Sequence, residues 1–202
     1  MYTPPKFYEN SPDKIFEFID ENSFGLIISI DHEGHILHSQ TPLILSEDRT
    51  KLLGHVAKAN THWNLWHDRL VKILFQGAHS YISPSYYASS FNVPTWNYMT
   101  VAIEGVINLV SDNQSKIDMM KQLVSHHEKG FQQPWDFDAS DHRYTKLFEV
   151  IVFFEIEISD IQASFKLNQN KSKEDQSSVM SHLNYSQQLS HNQLIAEAMR
   201  KD

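Results

Sequence analysis

The sequence predicts a mainly β domain, an antiparallel barrel with helices at its periphery. Apolar and polar residues alternate over Asn97–Leu109, as in a strand with one buried face. Three apolar runs, Phe24–Ile30, His35–Leu45 and Leu52–Ala57, are joined by short turns, which favours an antiparallel meander. Alternation returns after Val150, so six or more strands are available to close a barrel.

Helices are predicted around this barrel. The first starts at Ser11-Pro12, where the hydroxyl is expected to cap the helix and the proline to take its first position. Asp112 predicts the start of another helix, which runs to about Lys129. Shorter helices are expected over Thr61–Arg69 and Asp141–Glu149.

Interruptions are predicted in three strands. Gly77 separates a strand over residues 71–76 from one over residues 80–83, and Val150–Ile158 is followed by a separate strand, Ile161–Leu167. Gly105 lies inside the clearest alternating stretch, where a glycine indicates a bulge or a sharp bend.

The barrel domain is expected to cover residues 1–168, followed by a helical extension over residues 169–202. Asn168–Ser178 is polar and is interpreted as a connector. Near the end, four apolar residues recur at helical spacing, namely Leu194, Ile195, Ala198 and Met199. A tail of this kind is expected to pack on the barrel or on a dimer partner.

Composition excludes several classes of protein. The 202 residues carry a formal charge of −8, which disfavours a broad nucleic-acid-binding surface but leaves room for a small basic patch. There is no cysteine, so disulfides and thiolate metal sites are absent and a reducing cytoplasm is the simplest compartment. Neither a signal peptide nor an apolar run long enough to span a bilayer is visible.

The stretch Gly54–Trp63 reads as a strand that runs into a helix start with a cation beside it. Asn60 is a good N-cap, so the first-turn N–H groups, the helix dipole and the Lys58 ammonium are expected to face the same space. That arrangement suits a phosphate. A capped surface helix with a solvated lysine explains the same residues, because the stretch is not a glycine-rich phosphate loop.

Four sequence blocks, together with the opening Met1-Tyr2-Thr3-Pro4, resemble the signature blocks of the PaiB family, in the same order. They are Gly54–Asn60, Phe75–Ser85, Val93–Tyr98 and Lys166–Asn170. The family is described as FMN-binding negative transcriptional regulators. The resemblance implies an antiparallel split β-barrel related to the pyridoxamine-phosphate-oxidase-like flavoproteins, and a homodimer with FMN at the subunit interface.

The resemblance also implies which residues bind the cofactor. Lys58 and Asn60 would hold the FMN phosphate, with a lysine where the family usually has an arginine, so charge is kept and the bidentate fork is lost. Further candidates come from the neighbouring strands and from the other blocks: Ser39, Thr41, His55, Gln76, Trp96, Lys166 and Gln169. Trp96 could stack on the isoalloxazine ring, or be a core or dimer contact.

For the ionisable candidates, structural roles stay open beside the functional ones. His55 could donate a hydrogen bond to the ligand, or be a core histidine whose ring is hydrogen-bonded within the protein. Lys166 could enter the cofactor cleft or be solvated. No metal site is expected, because the twelve histidines lack ligand spacing; His126-His127, for example, is not an i, i+4 pair. No nucleophile elbow and no acid–base pair are visible.

The sequence therefore favours an FMN-binding protein of the PaiB type that acts as a negative transcriptional regulator. A flavin-dependent oxidoreductase acting on a small molecule is the alternative, since a bound flavin carries its own redox chemistry. A haem-binding or haem-degrading split barrel and a cofactor-free interaction module also remain open. Direct DNA binding is not favoured, because no helix-turn-helix is evident and the net charge is negative.

Overall fold

The computed structural model describes residues 1–185, which contain seven strands and four α-helices. The strands are β1 (Tyr8–Glu9), β2 (Phe24–Ile30), β3 (Ile36–Leu45), β4 (Lys51–Ala57), β5 (Arg69–Ile82), β6 (Thr95–Val110) and β7 (Ile151–Lys166). The helices are α1 (Pro12–Glu21), α2 (Asn113–Glu128), α3 (His142–Lys146) and α4 (Lys173–Tyr185). Short 3-10 helices cover Pro5–Phe7, Thr61–Leu65, Pro84–Tyr86 and Leu147–Val150.

The strands form a closed ring. Their hydrogen-bonded order is β7-β4-β3-β2-β5-β6, β6 pairs in turn with β7, and β1 adds to β7 from outside. The predicted meander is confirmed: Ile27 lies opposite Ser39 between β2 and β3, and Leu43 opposite Gly54 between β3 and β4, both antiparallel. The mainly β barrel expected from the sequence is therefore present.

Two of the predicted strand interruptions are wrong. β5 continues through Gly77, and β7 is one strand of 16 residues. The core side of β7 nevertheless changes phase, from Phe154 and Ile156 to Ala163 and Phe165, and this shift explains why the sequence reads as two strands. At Gly105 the reason for glycine is close approach, because an added Cβ would lie 2.4 Å from the Glu157 carbonyl oxygen.

The chain divides into two compact units. The first comprises residues 1–78 and 98–165, and the second comprises residues 79–97 and the chain from residue 166 onward. The first contains the main core, whose largest fully buried side chains include Trp66, Phe75 and Phe154. Each such side chain contributes roughly 1.5–3 kcal/mol through burial. The domain boundary at residue 168 stays a prediction.

Helix α1 packs on the core of the first unit through Ile15, Phe18 and Ile19, as its apolar face predicts. Pro12 occupies the first turn, but the Ser11 hydroxyl makes no capping hydrogen bond, so that detail of the prediction is wrong. The Ser11 backbone N–H instead donates to Glu9 Oε1 at 2.9 Å.

A second layer lies outside the barrel in the same unit. Helix α2 packs Met119 and Leu123 against the outward-facing Ile44, Leu53 and Phe153 of three neighbouring strands. Its predicted N-cap is confirmed, since Asp112 accepts a hydrogen bond from the Ser115 N–H at 2.7 Å. The middle of α2 thus lies over the outer surface of the strands.

Another part of the outer surface is apolar and exposed. The outward side chains of β2, β3 and β5 form this sheet face, in which Phe24 and Ile36 are 59% and 71% exposed. Ile36 lies opposite Ile30, which is also exposed, as is Leu70 on β5. We call Phe24, Ile30, Ile36 and Leu70 the apolar sheet face. Exposed apolar patches of this kind mark interaction surfaces.

A buried polar network links β2, β3 and the 3-10 helix Thr61–Leu65. His62 is 3% exposed, with Nε2 2.7 Å from Ser29 Oγ and Nδ1 2.9 Å from Ser39 Oγ. Asn60 completes the network, because its Nδ2 donates to Ser39 Oγ at 2.8 Å and its Oδ1 accepts from the His62 N–H at 3.1 Å. Both imidazole nitrogens are therefore satisfied without water.

In the second unit, α4 packs on the loop that follows β5. Val179 of α4 contacts Ile82 and Tyr87, and the buried Asp175 carboxylate accepts hydrogen bonds from the Ser89 N–H and hydroxyl.

Helix α4 starts at Lys173, inside the stretch predicted to be a connector, so that interpretation is wrong. The predicted tail residues Leu194, Ile195, Ala198 and Met199 lie outside the described residues. No helix in residues 1–185 is long and apolar enough to cross a membrane.

We predict that Gly105→Ala lowers the free energy of unfolding by about 1–3 kcal/mol, because the new methyl group must displace the β7 backbone. Urea unfolding followed by circular dichroism measures this loss. Gly130→Ala is the matched control, since a Cβ there meets no atom within 4 Å. Equal stability of the two variants would contradict the close approach.

The network around His62 predicts a pH dependence of stability. Burial lowers the pKa of His62 below its ordinary value of 6.5, and His38 adds to this effect. As the pH falls, His62 is therefore protonated at a higher pH in the unfolded chain than in the folded chain. The free energy of unfolding should consequently fall as the pH drops below about 6.5.

The test compares His62→Gln with the wild type in urea unfolding between pH 7 and pH 5. We expect the variant to lose about 1–3 kcal/mol at pH 7, because buried hydroxyl groups lose partners, and to show a shallower pH slope. His67→Gln removes an exposed ring and serves as the control. An unchanged slope in His62→Gln would contradict the assignment.

Candidate functional site

Lys58 lies just beyond β4, where its backbone is held and its side chain is exposed. Its N–H donates to the Val150 carbonyl at 2.9 Å, and its own carbonyl accepts from Trp63 Nε1 at 2.9 Å. Among the ion pairs of residues 1–185, none involves the Lys58 ammonium. The backbone is thus fixed while the charge stays available to a ligand.

The helix predicted over Thr61–Arg69 is wrong in length and type. The chain forms a five-residue 3-10 helix over Thr61–Leu65, then turns into β5. Asn60 is the predicted N-cap, and its side chain accepts from the His62 N–H. So short a helix has little macrodipole, and the argument from a helix N-terminus to a phosphate site does not hold here.

The structure brings Ser39 and Asn60 together, but they contact each other and His62 within the polar network. Ser39 is buried, and so is Thr41, whose Oγ1 donates to the His55 carbonyl at 2.7 Å. These three predicted residues therefore support the strand ends and the loop that carries Lys58. Their roles toward a cofactor stay predictions.

His55 faces the layer formed by α2. Its ring lies 5.6 Å from that of Phe153, and its buried Nδ1 has no hydrogen-bond partner. Burial lowers the pKa of His55, and the nearby His127 lowers it further, which favours the neutral ring. An orphaned buried ring nitrogen of this kind could accept or donate a hydrogen bond to a ligand.

The remaining predicted residues lie elsewhere. Gln76 is exposed on β5. In the second unit, Trp96 is 53% exposed and contacts the rings of Tyr81 and His79. There too, Lys166 Nζ donates to Thr95 Oγ1, and Gln169 Oε1 accepts from the Leu167 N–H at 2.7 Å. Trp96 thus presents an aromatic face on a surface rich in rings.

Lys58 also lines a cleft in the first unit of about 870 Å³. Three lysines line the cleft: Lys58, Lys116 on α2 and Lys146 on α3. We call it the lysine cleft. His142 and one carboxylate, Glu149, lie in the same wall. A volume of this size falls within the range of small-molecule sites.

The lysine cleft has groups suited to a phosphorylated cofactor such as FMN. Its apolar lining includes Ile117, Phe148 and Val152, which suit a planar ring, and the lysines suit a phosphate dianion. The residues present therefore fit the group implied by the resemblance. Sequence reasoning missed Lys116 and Lys146, because they come from peripheral helices far from Lys58 along the chain.

Within residues 1–185, side chains able to ligate a metal ion come together at one place. Asp31, Glu33 and His35 lie together in the exposed turn between β2 and β3. The Asp31 carboxylate accepts hydrogen bonds from the backbone N–H groups of Glu33 and His35. Stabilisation of the turn is therefore enough to explain an aspartate at this position.

Comparison with known proteins identifies the family. Residues 1–160 match the family described as "Putative FMN-binding domain". Protease synthase and sporulation protein PAI 2 of Bacillus subtilis (strain 168) is 32% identical over 188 residues, which cover 91% of this chain and 89% of that protein. The expected resemblance to PaiB proteins is therefore confirmed, and with it FMN as the cofactor of the family.

Solved structures share the fold. The FAD- and haem-binding protein of Mycobacterium smegmatis gives a TM-score of 0.63 at 8% identity, covering 85% of this chain and 78% of that chain. The flavocytochrome Anf3 of Azotobacter vinelandii gives 0.61 at 12% identity, covering 85% and 75%. Identities this low show the fold alone, and the fold is the expected split barrel. The match over residues 1–160 and the similarity to PAI 2 together show that this chain belongs to the FMN-binding domain family.

Proposed function

We propose that this chain binds FMN, forms a homodimer and acts as a flavin-dependent negative transcriptional regulator. The observation that carries the proposal is the family match over residues 1–160. The match includes all of the first unit except residues 161–165, at the end of β7. When bound, the flavin supplies a redox-active isoalloxazine ring. The chain supplies an exposed cation at Lys58 for the phosphate.

The apolar sheet face supports the homodimer. Large side chains such as Phe24, Ile36 and Leu70 stand exposed on neighbouring strands, and a second copy of the same face would cover them. A two-fold axis places the same patch on both subunits, so one self-complementary face is enough.

The regulatory part rests on the resemblance to the PaiB family. The net charge of −8 means that a regulator built this way would need a local basic patch, or a second protein, to act at DNA. Binding to a fragment of a regulated promoter, compared with random DNA over a range of salt concentrations, tests this part. Equal affinity for both would contradict a specific repressor.

We predict that the purified protein binds FMN in a 1:1 ratio with the chain and shows the visible absorbance of a bound flavin. Titration of flavin-free protein, followed by flavin fluorescence, measures the affinity. Anaerobic addition of NADH or NADPH then separates a cofactor-sensing protein, whose flavin stays oxidised, from an oxidoreductase. Absence of flavin binding at any concentration would contradict the proposal.

We predict that Phe24→Asp converts the dimer into a monomer, because a carboxylate within the interface would be buried without a partner. Sedimentation velocity measures the mass of each form. Phe131→Asp changes an aromatic residue of similar exposure outside the sheet face and is expected to leave the dimer intact. A wild-type monomer, or a Phe24→Asp dimer, would contradict this interface.

A further inference from the structure

The last turn of α2 brings one histidine close to another on β4. On α2, His127 follows Leu123 by four residues, so both lie on the helix face that packs on the strands. On β4, His55 follows Leu53 by two residues, so both point outward from the barrel, toward α2. The two rings therefore lie just beyond the apolar cluster that contains Leu53 and Leu123, and they interact electrostatically.

The surroundings of the His55 ring offer no anionic partner. Its Nδ1 is buried and has no hydrogen-bond partner within residues 1–185. The residue opposite His55 on β7 is Phe153, whose ring lies 5.6 Å from the imidazole and 4.9 Å from the Phe148 ring. A protonated His55 would therefore bury a positive charge beside aromatic rings, which costs far more than burying the neutral ring.

The titratable groups of α2 divide between two sides of the helix. Toward the strands, His127 acts on His55, and His126 in turn acts on His127, from a ring distance of 5.0 Å. Away from the strands, His126 lines a cleft toward α1 together with charged side chains, namely Asp13, Glu17, Asp20, Glu21, Arg49 and Lys129. The α1 carboxylates thus face His126, and neither His55 nor His127 lines that cleft.

Other charged groups on the neighbouring elements are engaged elsewhere. Lys51 of β4 and Glu155 of β7 bond to each other at 2.7 Å. Glu128, at the end of α2, accepts a hydrogen bond from the Trp135 N–H at 2.8 Å. Glu149, from the segment that enters β7, lines the lysine cleft. The histidine pair is thus held mainly by packing.

We propose that His55 and His127 form a pH-sensitive switch that holds the C-terminal end of α2 on the barrel. With both rings neutral, the last turn of α2 packs on β4. Protonation of either ring places a charge in this contact, and the charge reaches water when the turn lifts away. Lifting uncovers the outward-facing Ile44, Leu53 and Phe153. The switch therefore couples acidity to exposure of an apolar surface, and such surfaces bind partners.

The direction and the pH range follow from burial. Burial lowers the pKa of both His55 and His127 below the ordinary value of 6.5, and in each case a neighbouring histidine lowers it further. In the lifted state the rings are in water, so this state binds more protons than the packed state below about pH 6.5. The lifted population should therefore grow as the pH falls below about 6.5, by up to about tenfold per pH unit for each histidine that titrates.

Hydrogen–deuterium exchange between pH 7.5 and pH 5.5, followed by mass spectrometry on the full flavin-free chain, measures the lifting. Protection factors remove the intrinsic pH dependence of exchange. We expect the protection of the last two turns of α2 to fall by about tenfold to a hundredfold relative to that of β2. Strand β2 contacts the buried His62 through Ser29, so it reports unfolding of the whole barrel.

Two substitutions remove the titration from either side of the contact. His55→Phe keeps a ring against Phe153, and His127→Leu keeps an apolar side chain on the packed face of α2. Each should reduce the relative loss of α2 protection by roughly tenfold, because one titrating ring is gone. His67→Gln removes an exposed ring outside the contact and should lose α2 protection as the wild type does.

Constant relative protection of α2 from pH 7.5 to pH 5.5 in the wild type would overturn the switch. An equal loss in the wild type, His55→Phe and His127→Leu would overturn it as well, because the titrating groups would then lie elsewhere. A loss that either substitution reduces supports it. Replacing a buried, unpartnered ring by an apolar side chain should permit folding. Thermal melts at pH 7.5 check this, and if one variant does not fold, the other decides.

Discussion

The double pairing of β7 is the constraint on which the rest of the molecule depends. This strand bonds to β4 along one edge and to β6 along the other, so the sheet has no free edge at this point. Gly105 lets β6 approach closely enough for that closure. The α2 layer, the loop carrying Lys58 and the lysine cleft all lie on this closed wall.

Much of the barrel could be predicted because its signals are local. Turns between short apolar runs revealed β2, β3 and β4, and Asp112 revealed the start of α2. The misreadings have physical causes as well. Gly77 is accommodated within β5 because strand pairing outweighs its weak strand propensity, and the phase change in β7 imitates a chain break.

The site was harder to predict because its members are distant in sequence. Lys58 and Asn60 stand out beside a strand end, but the sequence cannot show that Asn60 turns toward Ser39 and His62. His62 itself gave no signal, since only its neighbours in space make it a buried, fully bonded ring. Lys116 and Lys146 join Lys58 only through the packing of peripheral helices.

The hydrogen bond from the Lys58 N–H to the Val150 carbonyl has a consequence for folding. It joins the first third of the chain to the segment entering β7, which is synthesised much later. The lysine cleft therefore cannot exist before these distant parts meet, and pairing of this kind is slow to form. A ligand held there would bind only the completed barrel, so its presence would report, and favour, the fully folded chain over any partly folded one.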